Sequence, residues 1–468
     1  MAATVKMILG SFAFAIFWVL AVFPAIPILP IGRTAGSLLA AVLMVIFQVI
    51  TPTEAYSSID ISILALLFGT MVVSVYLERA DAFKYLGKLL SWKSLGAKDL
   101  IFRVCLVSAI TSAFFTNDTS CIVLTQMVLK IARQRNLPPH PFLLAIASSA
   151  NIGSSATPIG NPQNLIIALN GDISFWPFLG GIFPAAVVGL LLNYGLLLCM
   201  YWKQLSSQKI EGNENAEITA EAEITYHRLN CQEICLGLDM QSSPYVLENL
   251  AALSNGVLER SSAASKWKAL IWKSCVYLVT IGMLIALLMG VNISWTALTA
   301  ALSLMVLDFK DAQPCLEKVS YSLLVFFCGL FMTITGFEKT GIPSYLWEFL
   351  EPYAHIDHAS GITVLALIIL ILSNSISNVT TVLLLGGRVA ASAASISPTY
   401  VKKAWLVLAW VSTASGNFTL VGSAANMIVC EQARNAPNFG CNLSFFGHLK
   451  FGLPSTILVT AIGLTLIH

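Results

Sequence analysis

Four apolar stretches of this chain are broken in the middle, and those breaks restrict what it can fold into more than any other feature. Residues 99–134, 140–169, 360–396 and 402–432 are each interrupted by a small cluster of Asn, Ser, Thr, Gly and Asp. They lie among uninterrupted apolar runs near 7–31, 34–50, 59–77, 176–201, 269–289, 293–307, 319–337 and 444–466. Those runs are on the scale of the roughly 30 Å of hydrocarbon in a bilayer. An unbroken helix satisfies its own backbone. A break at membrane depth exposes N–H and C=O groups, and it survives only where protein buries it or where it lines a wet cavity. Only 11% of the 468 residues are charged, against roughly a quarter in soluble proteins, so the lipid bilayer is the expected environment. The run from Met7 to Val22 is too long for a secretory leader core and is read as a span.

Other classes fall away on the same reading. A net charge of +2, with basic residues in short loops, makes nucleic acid a poor partner. None of the six histidines falls in HExxH or another metal spacing, and neither GxSxG nor a Walker A sequence occurs. No catalytic residue, cofactor or metal site is therefore expected, and energy must come from an ion gradient, a partner ATPase, or nothing. The ten cysteines form no CxxC pair, and Cys105, Cys121, Cys199, Cys275, Cys328 and Cys430 lie in apolar runs. They read as small buried hydrophobes. From Lys203 to about Lys266 the chain turns polar and acidic, a flexible connector.

The two halves repeat. Gly69, Glu78-Arg79 and Tyr85-Leu86 recur 260 positions later as Gly329, Glu338-Lys339 and Tyr345-Leu346. Thr116-Asn117-Asp118-Thr119-Ser120 recurs 261 positions later as Ser377-Asn378-Val379-Thr380-Thr381. The stretch Thr157 to Asn164 recurs 262 positions later as Thr419 to Asn426. Arg79, Lys84, Lys88, Lys93, Lys98, Arg103, Lys130, Arg133 and Arg135 gather around the first interrupted hairpin, which the positive-inside rule puts in the cytoplasm. Propagating through the spans places the connector inside and both ends outside. The expected fold is an all-α polytopic membrane protein of two inverted repeats, 1–202 and 267–468, joined by 203–266. Each repeat carries a re-entrant helical hairpin (99–134, 360–396) and a broken transmembrane helix (140–169, 402–432), the layout in which secondary transporters hold substrate at the midplane.

The breaks nominate the site. Asn117 with Thr119, and Asn378 with Thr380, belong at the hairpin turns, where amides and hydroxyls face exposed helix ends. Gly160 and Gly422 permit close approach, and Pro158 and Pro162 keep the helix from re-forming. Asn164 and Asn426 sit where each helix resumes. Thr157, Asn161 and Thr419 lie within the breaks, and Asn151 and Asn417 on their approaches. Asp118 is the one acid at a tip, facing uncharged Val379 in the repeat. Intramembrane carboxylates are costly and usually functional. It reads as a proton carrier or sodium ligand, or else as a cap for the returning helix. Glu78 and Glu338 read as local interfacial ion pairs with Arg79 and Lys339.

At the Asn tips and at TPIGNPQN the sequence resembles the ion transporter superfamily, which includes arsenite efflux pumps, sodium/proton antiporters and sodium-coupled dicarboxylate and citrate carriers. More closely, Pro30 to Gly36, Phe115 to Thr119 and the run Ser149 to Asn164 are similar to the plant silicon efflux transporters. The resemblance implies a plasma-membrane protein exporting silicic acid, and arsenite as a look-alike, in exchange for protons. It implies that Asn117, Thr119, Asn378 and Thr380 line the site and that the two breaks close it. The scaffold spans could pair with a second copy or remain alone. The extra charge of Asp118 disfavours a dianion, so dicarboxylates and citrate fit less well. The rival readings are a metalloid exporter not specific for silicon, a sodium/proton antiporter, and a channel or receptor-like protein.

Overall fold

A computed structural model describes residues 3–22, 32–82, 85–86, 90, 96–206, 267–308, 312–436 and 443–467. The connector lies almost wholly outside these, as do Lys84, Lys88 and Lys93. The chain divides into a main unit, Met1–Gln208 with Val276–His468, and a second unit, Lys209–Cys275.

The regular elements among the described residues are helical. In the first half they are α1 (Ala3–Val22), α2 (Arg33–Ile46), α3 (Pro52–Ser57), α4 (Ile61–Arg79), α5 (Ala97–Phe115), α6 (Asn117–Gln134), α7 (Pro139–Ser154), α8 (Pro162–Asn170) and α9 (Phe175–Ser206). Next comes α10 (Trp267–Leu288). The rest are α11 (Ile293–Leu307), α12 (Gln313–Leu316), α13 (Tyr321–Glu338), α14 (Ile342–Leu350), α15 (Ala359–Ile376), α16 (Asn378–Ile396), α17 (Pro398–Ala414), α18 (Ala424–Asn435) and α19 (Phe445–Leu464). Seven of the described helices, α4, α9, α10, α13, α15, α16 and α19, are long and apolar enough to cross a membrane. This is a multi-pass membrane protein.

The repeat seen in sequence sets the helix starts. Arg33 and Ile293, like Ile61 and Tyr321, stand 260 positions apart, Asn117 and Asn378 261, and Pro162 and Ala424 262. Packing then crosses between the halves, α2 against α13 and α4 against α11. Glycine permits both contacts. An ideal Cβ on Gly69 would come 2.7 Å from the Ala297 carbonyl carbon, and one on Gly329 would come 2.7 Å from that of Ser37. Small residues of this kind let membrane helices approach backbone to backbone.

The core belongs to the broken segments. Every residue from Pro141 to Asn161 and from Ala404 to Asn417 is buried. The α5–α6 hairpin packs on α7 and the α15–α16 hairpin on α17, while α9 and α19 pack on each other. Gly153 lies so close to Ala109 that a Cβ there would overlap its backbone, which seats α7 against α5.

Two expectations need correction. Glu78 and Glu338 do not pair with their sequence neighbours in the described structure. Glu78 lies 3.8 Å from Lys318, and Arg388 bonds Glu338 at 2.9 Å. Arg79 instead meets buried Asp308 at 2.5 Å, where Tyr76 also donates at 3.2 Å, and Lys339 pairs with Glu54. Adjacent helical residues point about 100° apart, so they do not face each other. The cysteines also divide: Cys105 and Cys121 are buried, Cys199 is exposed, and Cys275, Cys328 and Cys430 lie between. An apolar run marks membrane depth rather than burial in protein.

Candidate functional site

Each hairpin turns on a single residue, one position before the asparagine expected to make the turn. Thr116 (φ 73°, ψ 148°) and Ser377 (φ 101°, ψ 153°) adopt the same positive-φ conformation at equivalent positions of the repeat. Such conformations cost a non-glycine residue on the order of 1–3 kcal/mol and persist only where surroundings impose them. Hydroxyl pairs accompany both turns: Thr116 donates to Thr119 at 3.2 Å, and Ser377 and Thr380 lie 2.9 Å apart. Ser377 also accepts from the Thr380 N–H at 3.4 Å.

Asn117 and Asn378 are therefore the first residues of the returning helices and not their caps. The Asn117 backbone N–H donates to Gly160 O at 3.1 Å, which ties the first tip to the first break. Its side chain is buried and, among the described residues, forms no hydrogen bond. Asn378 Oδ1 is likewise buried with no partner among them. Asp118 stands at the second helical position of α6, half-buried, so it is not the cap residue either.

The break asparagines behave differently, because the backbone consumes their amides. Asn164 Nδ2 donates to the carbonyls of Ser154, Ser155 and Thr157 at 3.1, 3.1 and 3.2 Å. Asn426 Nδ2 donates to Gly416 and Thr419 at 2.7 and 2.9 Å, again ten and seven residues back. In each half one amide replaces the helical donors that the break removes. Asn161 and Ser423, 262 positions apart, cap α8 and α18 by accepting from Asn164 N and Ala425 N. Thr157 donates to Ala113 O in the first hairpin.

The two breaks also clasp each other. Asn161 Nδ2 reaches Thr413 Oγ1 at 3.3 Å, and Thr413 donates to Asn164 Oδ1 at 3.3 Å. The matching contacts run the other way: Ser423 donates to Asn151 Oδ1 at 2.8 Å, and Asn151 Nδ2 donates to Asn426 Oδ1 at 3.1 Å. Asn151 and Thr413 are themselves repeat mates, 262 positions apart. Asn151 further donates to Asn417 Oδ1 at 2.8 Å, and Asn417 to Ser148 O at 3.3 Å. Thr419 donates to Asn374 Oδ1 at 2.9 Å, and Asn374 Nδ2 holds Ser415 O at 3.0 Å.

Sequence reasoning missed Thr413, Ser423, Asn374, His448 and Gly416. The repeat offset could have found the first two from Asn151 and Asn161. Gly416 lies where the elements converge: an ideal Cβ there would come 3.1 Å from Ser423 Cβ, and 3.4 and 3.5 Å from Asn378 Nδ2 and Asn151 Nδ2. Gly160 and Gly422 are close-packed, since a Cβ would overlap Ser154 O at one and Asn374 Oδ1 at the other. The structure thus brings the two buried breaks to one crossing, beside which Asn378 Oδ1 has no hydrogen-bond partner among the described residues.

A multi-pass helical protein whose buried breaks meet in this way falls in the class of membrane transporters, as its relatives show. The citrate transporter family model matches residues 15–415, and the chain belongs to that family of transporters. The silicon efflux transporter LSI3 of Oryza sativa subsp. japonica is 53% identical, over 100% of this chain and 99% of its own length. A transporter named arsB from Dictyostelium discoideum is 33% identical over 94% of this chain and 88% of that one. Among solved structures, the YdaH transporter of Alcanivorax borkumensis matches with a TM-score of 0.45 at 13% identity, covering 88% of this chain and 86% of that chain.

Proposed function

We propose that this protein exports silicic acid across the plasma membrane in exchange for protons. The observation that carries the reading is the pair of spared amides, Asn117 and buried, unbonded Asn378 Oδ1, in a polar site made of amides, hydroxyls and backbone. Silicic acid is an uncharged tetrahedron of hydroxyls at neutral pH. Each hydroxyl donates and accepts, which matches a site that offers both and supplies no cationic side chain. A citrate anion would gain from the helix N-termini at the tips, but Asp118 in the first turn of α6 offsets that gain. Arsenous acid has the same hydroxyl chemistry and is expected to compete. The rice relative's name supports silicon over the citrate of the family's description.

In this reading 1–202 and 267–468 are inverted repeats joined by a cytoplasmic connector, 203–266. The unit bearing each hairpin and break moves to alternate access. The hairpin helices are 18 or 19 residues long, about 27–29 Å, so tips at mid-depth require tilted arms. Asp118 carries the proton.

The test is flux from proteoliposomes loaded with silicic acid, at two external pH values and without sodium. Asn117→Ala and Asn378→Ala should each lower flux by about tenfold or more, because hydrogen bonds to substrate discriminate strongly. Gly416→Ala should lower it as well, because a Cβ there lies 3.1 Å from Ser423 Cβ and the break must give way. Asp118→Asn should abolish the response to the proton gradient. Citrate flux without silicic acid flux would overturn the substrate, and an unchanged gradient response in Asp118→Asn would overturn the carrier assignment.

A further inference from the structure

His448, in the first turn of α19, has no part in the site as the sequence nominates it. It is 2% exposed. Its Nε2 lies 3.1 Å from Asn417 O and 3.4 Å from Asn426 Nδ2, two residues of the second break. One turn along α19, a Cβ on Gly452 would overlap Asn417 O, so the helix lies flush against the break. A carbonyl can only accept, so Nε2 carries the proton in this arrangement and Nδ1 the lone pair. Nδ1 is buried and has no partner among the described residues. Moving the proton to Nδ1 would exchange the bond to Asn417 for one from Asn426. Adding a second proton would give a cation whose Nδ1–H meets no acceptor in this arrangement, and buried unpaired donors are costly.

We propose that His448 is a positioning residue that makes the second break respond to protons: protonation at Nδ1 shifts the segment Ser415–Ser423 and with it the Asn417 and Asn426 contacts. The inference deepens the proton-coupled reading and rests on the break being part of the transport site.

The surrounding elements leave His448 with few titratable neighbours. His140, at the start of α7, places Nε2 3.7 Å from an ideal Cβ on Gly447, and Tyr201 of α9 lies against His140 with ring centroids 5.6 Å apart. Tyr194, Cys199 and Lys203 are the other titratable groups on this stretch of α9, and Cys199 is exposed. On α17, Lys402 and Lys403 lie about 20 Å along the helix axis from the break, and on α18 Cys430, Glu431 and Arg434 follow Asn426 by one to two turns. The 3-10 turns Ser415–Asn417 and Leu420–Gly422 carry none. Lys450, on the same helix, is exposed. Asp118 belongs to the other half's tip.

His448→Gln preserves a donor near the Nε2 position and removes titration. Silicic acid exchange would be measured at equal pH on both sides, from about pH 3.5 to 8, for wild type and His448→Gln. We expect the wild-type rate to vary at least fivefold and the variant's to stay within about twofold while remaining measurable. Matching profiles would overturn the inference and leave the silicic acid reading standing; absence of wild-type flux would remove that reading instead. A second measurement needs neither substrate nor variant. Hydrogen–deuterium exchange of wild-type peptides covering 415–426, corrected for intrinsic rates, should show protection falling several-fold as pH drops from about 7 to 3.5. PH-independent protection there would overturn the inference even if His448→Gln fails to fold.

Discussion

At the scale of single residues, identical asparagines do opposite jobs. Asn164 and Asn426 spend their amides on carbonyls that the breaks expose, whereas the side chains of Asn117 and Asn378 are spared. Asn426→Ala would leave the Gly416 and Thr419 carbonyls without that donor, in a segment where Gly416 is itself buried. With the Asn151 amide also losing its acceptor, the expected loss is about 2–4 kcal/mol from three buried hydrogen bonds, read as a fall in Tm. Asn378→Ala, which removes no protein hydrogen bond, should leave Tm nearly unchanged. If both variants melt together, the division between bracing and spared amides is wrong. The sequence pattern drew attention to all four asparagines but could not assign their roles. An Asn at a break and an Asn at a tip look alike until the backbone geometry shows which carbonyls lie within reach.

At the scale of helices, the contacts between halves depend on missing side chains. Gly69→Ala and Gly329→Ala each place a methyl 2.7 Å from a neighbouring helix backbone, which cannot yield as a side-chain tip can. Each should cost about 1–3 kcal/mol through overpacking. Gly180→Ala is the control, because a Cβ there meets nothing within 4 Å and helix propensity favours alanine. Thermal unfolding of the three variants in detergent checks this, and equal shifts would discount the close approach. The repeat offset announced that Gly69 and Gly329 were equivalent. It did not announce their partners, since a period shared by two halves is equally compatible with each half packing on itself. The tips were off by one residue for a related reason: asparagine is a common capping residue, yet here threonine and serine take the strained turn.

At the scale of the whole molecule, three ion pairs among the described residues join the halves, and two of them, Arg79–Asp308 and Glu54–Lys339, should differ sharply in worth. Asp308 is 1% exposed beside Arg79, while Glu54 and Lys339 are 43% and 42% exposed. Arg79→Ala would strand a buried carboxylate, at a cost of about 3–5 kcal/mol. Lys339→Ala should shift Tm far less, because water screens exposed pairs. The second pair also has a pH signature. The Lys339 hydrogen bond, helped by the Thr51 backbone and hydroxyl, holds the Glu54 carboxyl at about 2 instead of the ordinary 4.5. A lowered folded-state value means that the contribution is complete above about 4.5 and disappears as pH falls towards 2. The Tm difference between wild type and Glu54→Gln should accordingly be flat from pH 8 to 5 and shrink below that. A difference that grows on acidification would contradict the pairing. None of this was legible in the sequence, where Glu78-Arg79 and Glu338-Lys339 invited pairing along the chain. The true partners lie far along the chain, 50 positions away for Glu338 and 229 and 285 for Arg79 and Lys339.

The exchange of helix partners has a consequence for how the protein is made. α4 begins at Ile61 and its partner α11 at Ile293. At a synthesis rate of roughly 5–20 residues per second, the first helix waits on the order of ten to fifty seconds for the second to leave the ribosome. The first break waits as long for Thr413, which completes its polar contacts. During that interval a half-built protein sits in lipid with the Asn151 amide still lacking its partners Asn417, Ser423 and Asn426. Such an intermediate is a ready client for the cell's membrane-insertion and quality-control machinery. A variant that slows the arrival of the second half should lower the yield of protein before it alters the rate of any protein that matures.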